Sequence, residues 1–221
     1  MATVVAAGTQ VLIEHQGATD PVQEGWRKMV SKSGEVGPVI SDRHKDAWKT
    51  FSWGFPTEYD SGKALYQTIL TGADWALSAT LRILTGPNVG MMIRTGSEQI
   101  ILGFDQQADG DPVVSLSRGT SMIPIFAYEG GGDGYHEYRL EYAAETGLVS
   151  LRVDGLIRDS GIRGSPSSAP LYVAWGTISQ GGVGRAHWSQ VSLVIIPEPG
   201  TMTLLTLGGA LLLWGRRRRV G

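Results

Sequence analysis

Residues 135–158, YHEYRLEYAAETGLVSLRVDGLIR, carry the strongest structural signal in the chain. Large apolar residues alternate with charged ones through the first half, as Tyr138, Leu140 and Tyr142 interleave with Glu137, Arg139 and Glu141. The second half repeats the alternation with Val149, Leu151 and Val153. A period of two is typical of strands in a sheet with one buried face. The pair Asp154-Gly155 that follows matches a tight hairpin turn, because glycine adopts positive φ at little cost.

The same alternation extends outward along the chain and is clearest over residues 75–84. Further short strands are predicted at Thr9–Glu14 (with Val11 and Ile13 on one face), Ala47–Trp53, Gly90–Arg94, Gln99–Phe104, Pro112–Leu116, Ile123–Tyr128, Leu171–Thr177 and Ala186–Ile196. Periodicity leaves Ser61–Gly72 open between a short helix and a strand. About a dozen strands, with turns drawn from 31 glycines, predict an all-β fold of the sandwich type.

One part of this pattern resembles a known fold family. The residues His136, Tyr138 and Leu140, followed by Val153-Asp154-Gly155, look like the paired strands of concanavalin A-like and laminin G-like jelly rolls. The late strand with Ala186-His187-Trp188 also fits. The resemblance implies a jelly-roll β-sandwich, an architecture that hosts lectins, hydrolases and passive structural modules.

The last 25 residues have a different organisation from the rest. Pro197-Glu198-Pro199 ends the preceding strand and favours an extended segment, because each proline restricts the residue before it. An uncharged run of 15 residues, Thr201–Gly215, follows; it contains the apolar segment Met202–Trp214 and precedes Arg216, Arg217, Arg218 and Arg219. A helix of about 15 residues spans roughly 22 Å, a marginal length for roughly 30 Å of hydrocarbon. We expect a body at residues 1–196 and, within residues 197–221, a single membrane helix with its arginines in the cytoplasm.

This tripartite tail resembles the PEP-CTERM sorting signal of exported bacterial proteins. The resemblance implies recognition by an exosortase, cleavage near the Pro-Glu-Pro motif, and delivery from the inner membrane of a Gram-negative bacterium to the cell surface or extracellular matrix. The segment Met1–Gly8 lacks the charged start and apolar length of a signal peptide. Two alternatives stay open: a signal peptide lies upstream of Met1, or this copy is not exported.

The composition and the motifs limit which partners and catalytic mechanisms residues 1–196 can be expected to have. The body holds 15 basic and 20 acidic residues, and this acidic balance argues against nucleic acid as a partner. There is no cysteine for thiol catalysis, no Gly-x-Ser-x-Gly motif and no Glu-x-Asp-x-x-Glu motif. Glu137 and Glu141 would lie about 13 Å apart on one strand, too far for a carboxylate pair. We therefore expect no catalytic residues, and the alternative is a carbohydrate-active hydrolase or lyase with unrecognised acids.

The four histidines, His15, His44, His136 and His187, are scattered without metal-ligand spacing. We expect His136 to hydrogen-bond at the start of its strand.

Two weaker signals concern ligands. Most of the six tryptophans of the body lie within strand patterns and are expected in the core, whereas Trp26 and Trp53, beside glycines, are expected to be exposed and able to stack on sugars. Asp105, Asp109 and Asp111 form an acidic loop that could bind calcium, although acidic turn residues are usually just solvated. The body is thus predicted to bind polysaccharide, or else to be a structural matrix protein that binds nothing specific.

Overall fold

The computed structural model of the protein describes residues 9–30, 34–53, 57–61, 72–95, 97–107, 111–118, 121–128, 133–168, 172–177 and 183–196. They form two antiparallel sheets that pack face to face as a jelly-roll sandwich, which confirms the predicted fold. The predicted membrane helix at 202–214 lies outside the described residues. Within the described part of the chain, no helix has the length and apolar character needed to cross a membrane.

Strands are numbered in chain order, and each sheet has eight. The front sheet contains β1 (Gln10–Gln16), β3 (Glu35–Asp42), β4 (Lys45–Trp53), β6 (Asp74–Thr85), β11 (His136–Ala143), β12 (Leu148–Val153), β13 (Leu156–Ile162) and β16 (Val183–Ile196). The back sheet contains β2 (Arg27–Val30), β5 (Thr57–Asp60), β7 (Val89–Arg94), β8 (Glu98–Gln106), β9 (Pro112–Arg118), β10 (Ser121–Ala127), β14 (Ser165–Pro166) and β15 (Tyr172–Thr177).

Strand β16 organises the front sheet, whose order is β13-β12-β11-β6-β16-β4-β3. On one side β16 pairs with β6 along nearly its whole length. On the other side its first half pairs with β4 and its second half with β1. The end of β1 therefore approaches the β3–β4 hairpin across the same strand.

The predicted hairpin at residues 135–158 is confirmed. Strands β11 and β12 pair in register. Asp154 (φ 50°) and Gly155 (φ 77°), which connect β12 to β13, both take the positive φ of the expected tight turn. The Asp154 carboxylate accepts hydrogen bonds from the Tyr128 hydroxyl (2.6 Å), His136 Nδ1 (2.8 Å) and the Glu137 backbone N–H (2.9 Å). The expected hydrogen bond of His136 at the start of its strand is thus confirmed.

The core lies between the sheets and is rich in aromatic rings. Trp175 of the back sheet packs against Trp188 of the front sheet with ring centroids 5.2 Å apart, and it stacks on Tyr59 at 4.9 Å and on His15 at 5.0 Å. The Trp188 indole N–H donates to Thr50 Oγ1 over 2.9 Å. These contacts fix the relative position of the sheets, because aromatic packing and satisfied indole groups are directional.

One expectation about the N-terminal half is wrong, and a second stays untested. Val11 and Ile13 do not share a face, because a bulge between them turns Val11 outward, where it is 53% exposed, while Ile13 enters the core. Most of the ambiguous segment 61–72 lies outside the described residues, so the choice between helix and strand there stays open.

Candidate functional site

A polar cleft of about 570 Å³ opens at the front sheet where β1 ends. Its lining residues come from three places: the turn after β1, the start of β4 and the middle of β16. They are Gln16, Gly17, Ala18, Thr19, Lys45, Asp46, Ser189 and Gln190. The register of β16 against β6 shifts between Trp188 and Gln190, and the Gly17 N–H donates to the Ser189 carbonyl over 2.8 Å. This bulge and the left-handed Gly17 (φ 63°) turn the chain away and leave the cleft between the strands.

Gln16 and Gln190, which line one side of the cleft, and Glu14, to which both are hydrogen-bonded, form a set of three side chains that we call the amide clamp. Gln16 and Gln190 are cross-strand partners, and both donate an amide N–H to Glu14 Oε1, over 2.7 Å and 3.0 Å. Each amide has two donors and a carbonyl oxygen, so a donor and an acceptor on each stay available to a ligand. The clamp therefore presents a fixed pattern of hydrogen-bonding groups to the cleft.

The opposite wall is the β3–β4 hairpin, whose backbone is unusual. Ser41 (φ 54°), Arg43 (φ 48°) and His44 (φ 67°) all occupy the left-handed region, which costs free energy for residues with a Cβ. Asp46 Oδ1 accepts the Ser41 N–H over 2.9 Å. Lys45 Nζ lies 5.9 Å from the centroid of the Tyr135 ring, within cation–π range. Such strain persists only where surrounding contacts impose it.

Those contacts come from the Asp42 cluster, which consists of Asp42, Arg82, Tyr135 and His187. The Asp42 carboxylate accepts hydrogen bonds from Arg82 NH1 (2.8 Å), the Tyr135 hydroxyl (3.0 Å) and His187 Nδ1 (2.6 Å). Arg82 also donates to the Asp133 carbonyl over 2.8 Å, and Arg43 forms an ion pair with the Asp133 carboxylate. The hairpin is thereby fixed to β6, to β16 and to the segment before β11.

The cluster shifts the ionisation of its members. Partial burial alone would raise the pKa of Asp42, but the hydrogen bonds from His187, Tyr135 and Arg82 outweigh it, so the pKa is lowered and the carboxylate stays charged. Burial lowers the pKa of His187, and the bond to Asp42 offsets this only in part. His187 is therefore neutral near pH 7, with its proton on Nδ1 facing Asp42. Burial and the bond to Asp42 both raise the pKa of Tyr135.

Of the two tryptophans predicted to bind sugar, the structure describes the side chain of Trp26 alone. The prediction for Trp26 is wrong, because the ring is only 2% exposed, packs edge-on against Trp175 and donates its N–H to the Glu14 carbonyl over 3.1 Å. It supports the amide clamp from the core side. The backbone of Trp53 closes β4, but its side chain lies outside the described residues.

The predicted calcium loop stays a prediction. Asp109 lies outside the described residues, Asp111 is buried, and Asp105 Oδ1 accepts the Gln106 backbone N–H over 2.7 Å. Among the residues that the structure describes, no three acidic or histidine side chains come together as a metal site.

Two glutamates of β11, Glu137 and Glu141, lie on the outward face of the strand. Glu141 accepts a hydrogen bond from Arg139 and another from Arg152, each over 2.8 Å. This arrangement agrees with a solvated sheet face.

Sequence reasoning missed the cleft itself. Gln16 and Gln190 are ordinary polar residues that stand almost at opposite ends of the body. Only the pairing of β1 with β16 places them side by side. The one available signal was the turn after Gln16, whose glycine and Asp-Pro pair mark a loop but name no partner.

The fold and the polar cleft define a protein of the lectin-like jelly-roll class. Residues 39–198 match the family described as the lectin insertion of Vibrio cholerae sialidase, and the chain belongs to that family. Residues 196–219 match the PEP-CTERM protein-sorting motif. This match confirms the sorting signal predicted from Pro197-Glu198-Pro199 and from the arginines that end the tail, and it supports export.

Solved structures show the same fold in proteins of diverse activity. A conserved carbohydrate esterase from Shiga toxin-encoding bacteriophage phi24B aligns with a TM-score of 0.61 and 13% identity over 86% of this chain and 100% of that one. A sialidase aligns with a TM-score of 0.54 and 11% identity, over 83% of this chain and 18% of that one. The binding domain of botulinum neurotoxin DC, in complex with rat synaptotagmin II, aligns with a TM-score of 0.54 and 12% identity, over 89% of this chain and 51% of that one. Among curated protein sequences, none matches this chain.

Proposed function

We propose that the protein is an exported, non-enzymatic polysaccharide-binding protein of the cell surface or extracellular matrix. Its body binds sugar in the polar cleft, and an exosortase processes its tail near Pro197-Glu198-Pro199. The observation that carries the proposal is the amide clamp, which faces Lys45 and Asp46 across the cleft.

The cleft has the chemistry that sugar recognition needs. Sugar hydroxyls donate and accept hydrogen bonds, and amides, carboxylates and an ammonium group together offer both partners at fixed positions. The volume of about 570 Å³ is that of a small-molecule site. Membership in a family described as a lectin insertion supports the same ligand class.

The character of the acids favours binding over turnover. Glycoside hydrolysis requires two carboxyl groups on either side of the scissile bond. Here Asp46 lines the cleft, but Glu14 is already engaged by both amides of the clamp. We therefore assign the cleft to binding, and catalysis by other acids is the competing outcome of the test.

The tail gives the proposal its cellular context. Before processing, the apolar run 202–214 and Arg216, Arg217, Arg218 and Arg219 would hold the protein at the inner membrane of a Gram-negative bacterium, with the arginines in the cytoplasm. Cleavage would then release the body to the surface or matrix.

The experiment is a binding panel of neutral, amine-bearing and uronic-acid polysaccharides, measured by calorimetry on the purified full-length chain with and without calcium. Gln190→Ala should weaken saturable binding about tenfold, since it removes one of the two amides that the clamp presents to the cleft. Arg185→Ala is the matched control, because Arg185 is an exposed residue of the same strand outside the cleft. No saturable binding would refute the proposal, and release of sugar fragments would replace it with the enzymatic alternative.

A further inference from the structure

The outer face of the front sheet continues the cleft across the neighbouring strands. Cross-strand pairing places Glu137, Thr80, Gln190 and Gln16 in one row over β11, β6, β16 and β1. The next row is Arg139, Ser78, Ser192 and Glu14. We call these eight residues the polar strip. They lie on the outer face because they alternate along their strands with core residues such as Leu77, Ala79 and Leu81, and among them Ser192 is only 8% exposed.

The polar strip has short side chains in its middle and a length set by the spacing of its strands. Its middle consists of the short side chains of Thr80, Ser78 and Ser192, and the two serine hydroxyls lie 3.2 Å apart. Longer side chains stand at both ends. From β11 to β1 the strip crosses three strand spacings, about 14 Å. Because Gln16 and Gln190 belong to both the strip and the cleft, a chain-like ligand can enter the cleft and continue across the sheet.

The uncompensated charge on the strip is negative. Arg82 binds Asp42, whereas Arg139 and Arg152 share the single carboxylate of Glu141, so this trio keeps one positive charge against the two carboxylates of Glu137 and Glu14. By contrast, the Glu137 carboxylate has no ion pair or hydrogen bond within the described ranges, and Glu14 is bonded only to neutral amides.

The one cation at the cleft wall does not reverse this sign. Lys45 and Asp46 both line the far wall of the cleft, so this wall contributes no net charge. The strip therefore keeps a small net negative charge, which disfavours a polyanion and favours a ligand that carries amines, and Glu137 is the carboxylate without a partner within the described ranges.

Building on the proposed function, we propose that the polar strip binds a linear polymer of amine-bearing sugars, which runs over β11, β6 and β16 and ends in the cleft. Protonated amines pair with Glu137 and with the outer side of the clamp at Glu14. Sugar hydroxyls exchange hydrogen bonds with Thr80, Ser78 and Gln190.

The test compares oligomers of glucosamine, glucose and uronic acid, each from two to eight units, by calorimetry on the full-length chain at low and high salt. Affinity for glucosamine oligomers should rise with length until the strip is spanned and should fall in high salt. Glu137→Gln should weaken glucosamine binding roughly threefold and leave glucose binding unchanged, the loss expected for one exposed ion pair. Glu35→Gln is the matched control, because that exposed carboxylate belongs to the same sheet but pairs with Lys49.

The outcomes separate this inference from the proposed function. Binding of uronate oligomers as tightly as glucosamine oligomers, or an unchanged affinity in Glu137→Gln, would overturn the inference. In either case the proposed function would still stand if Gln190→Ala weakened binding. Failure of all three series to bind would remove the proposed function and the inference together.

Discussion

Replacement of Asp42 by alanine should destabilise the protein and loosen the wall of its cleft. The change removes three hydrogen bonds to a charged acceptor, from Arg82, Tyr135 and His187. Each such bond contributes roughly 1.5 kcal/mol or more, and losing one member of a buried ion pair costs roughly 3–5 kcal/mol. The side chains of Asp42 and Arg82 retain 15% and 18% exposure, so water compensates in part. We expect a loss of about 3 kcal/mol in the free energy of unfolding.

The assay is urea unfolding followed by tryptophan fluorescence, together with calorimetry. For a chain of this length, about 3 kcal/mol corresponds to a decrease of roughly 6–12 °C in Tm. Asp42→Asn keeps an oxygen acceptor without the charge and should lose about half as much. Asp46→Ala is the control on the same hairpin, because it removes one exposed bond from the Ser41 N–H and should cost less than about 1 kcal/mol.

The comparison between the Asp42 and Asp46 variants tests whether the Asp42 cluster holds the strained hairpin in place. If both alanine variants lose the same small amount of stability, the Asp42 cluster does not hold the strained hairpin. A destabilised Asp42→Ala chain that binds its polysaccharide as tightly as the wild type would refute the link between the hairpin and the cleft.

Three further predictions concern other parts of the chain. Burial lowers the pKa of His15 and His187 below the ordinary 6.5, so the folded state binds protons less readily than the unfolded chain. The free energy of unfolding should therefore fall as the pH drops below 6.5. Urea titrations from pH 7.5 to 5 should show this slope, and a variant with both histidines replaced by glutamine should lose it. Gly86→Ala should cost roughly 1–3 kcal/mol in thermal unfolding, because the new Cβ would lie 2.6 Å from the backbone of the facing strand. Gly103→Ala should cost less, because its Cβ would meet the end of a flexible methionine side chain. Equal losses in the two variants would contradict this explanation. Alanines at residues 197–199 should abolish processing and surface delivery in the native host, and unchanged delivery would refute exosortase recognition.

Much of the fold follows from local sequence patterns. The alternation in β6, β11 and β12 reports which side chains face the core, since successive residues of a strand point to opposite faces. Asp154-Gly155 specifies its turn because both residues tolerate positive φ. The sorting tail is equally local, because its motif, apolar run and arginines follow one another directly along the chain.

The candidate site depends on contacts that no local pattern contains. Trp26 follows a glycine in a turn and looks exposed, yet its ring is buried in the core, where it packs edge-on against Trp175. The Asp42 cluster draws its members from a hairpin, two strands and a segment before a third. Each of these residues is unremarkable in its own neighbourhood.

The sequence by itself determined most of the long strands, the buried faces of β6, β11 and β12, one hairpin turn and the sorting signal. The tertiary structure alone decided where the cleft lies, because Gln16 and Gln190 become neighbours only when β1 pairs with the second half of β16. Periodicity tells which face of a strand is buried, but not which strand lies beside it. That choice is made by packing across the whole sandwich, so the binding groups appear together only in the folded chain.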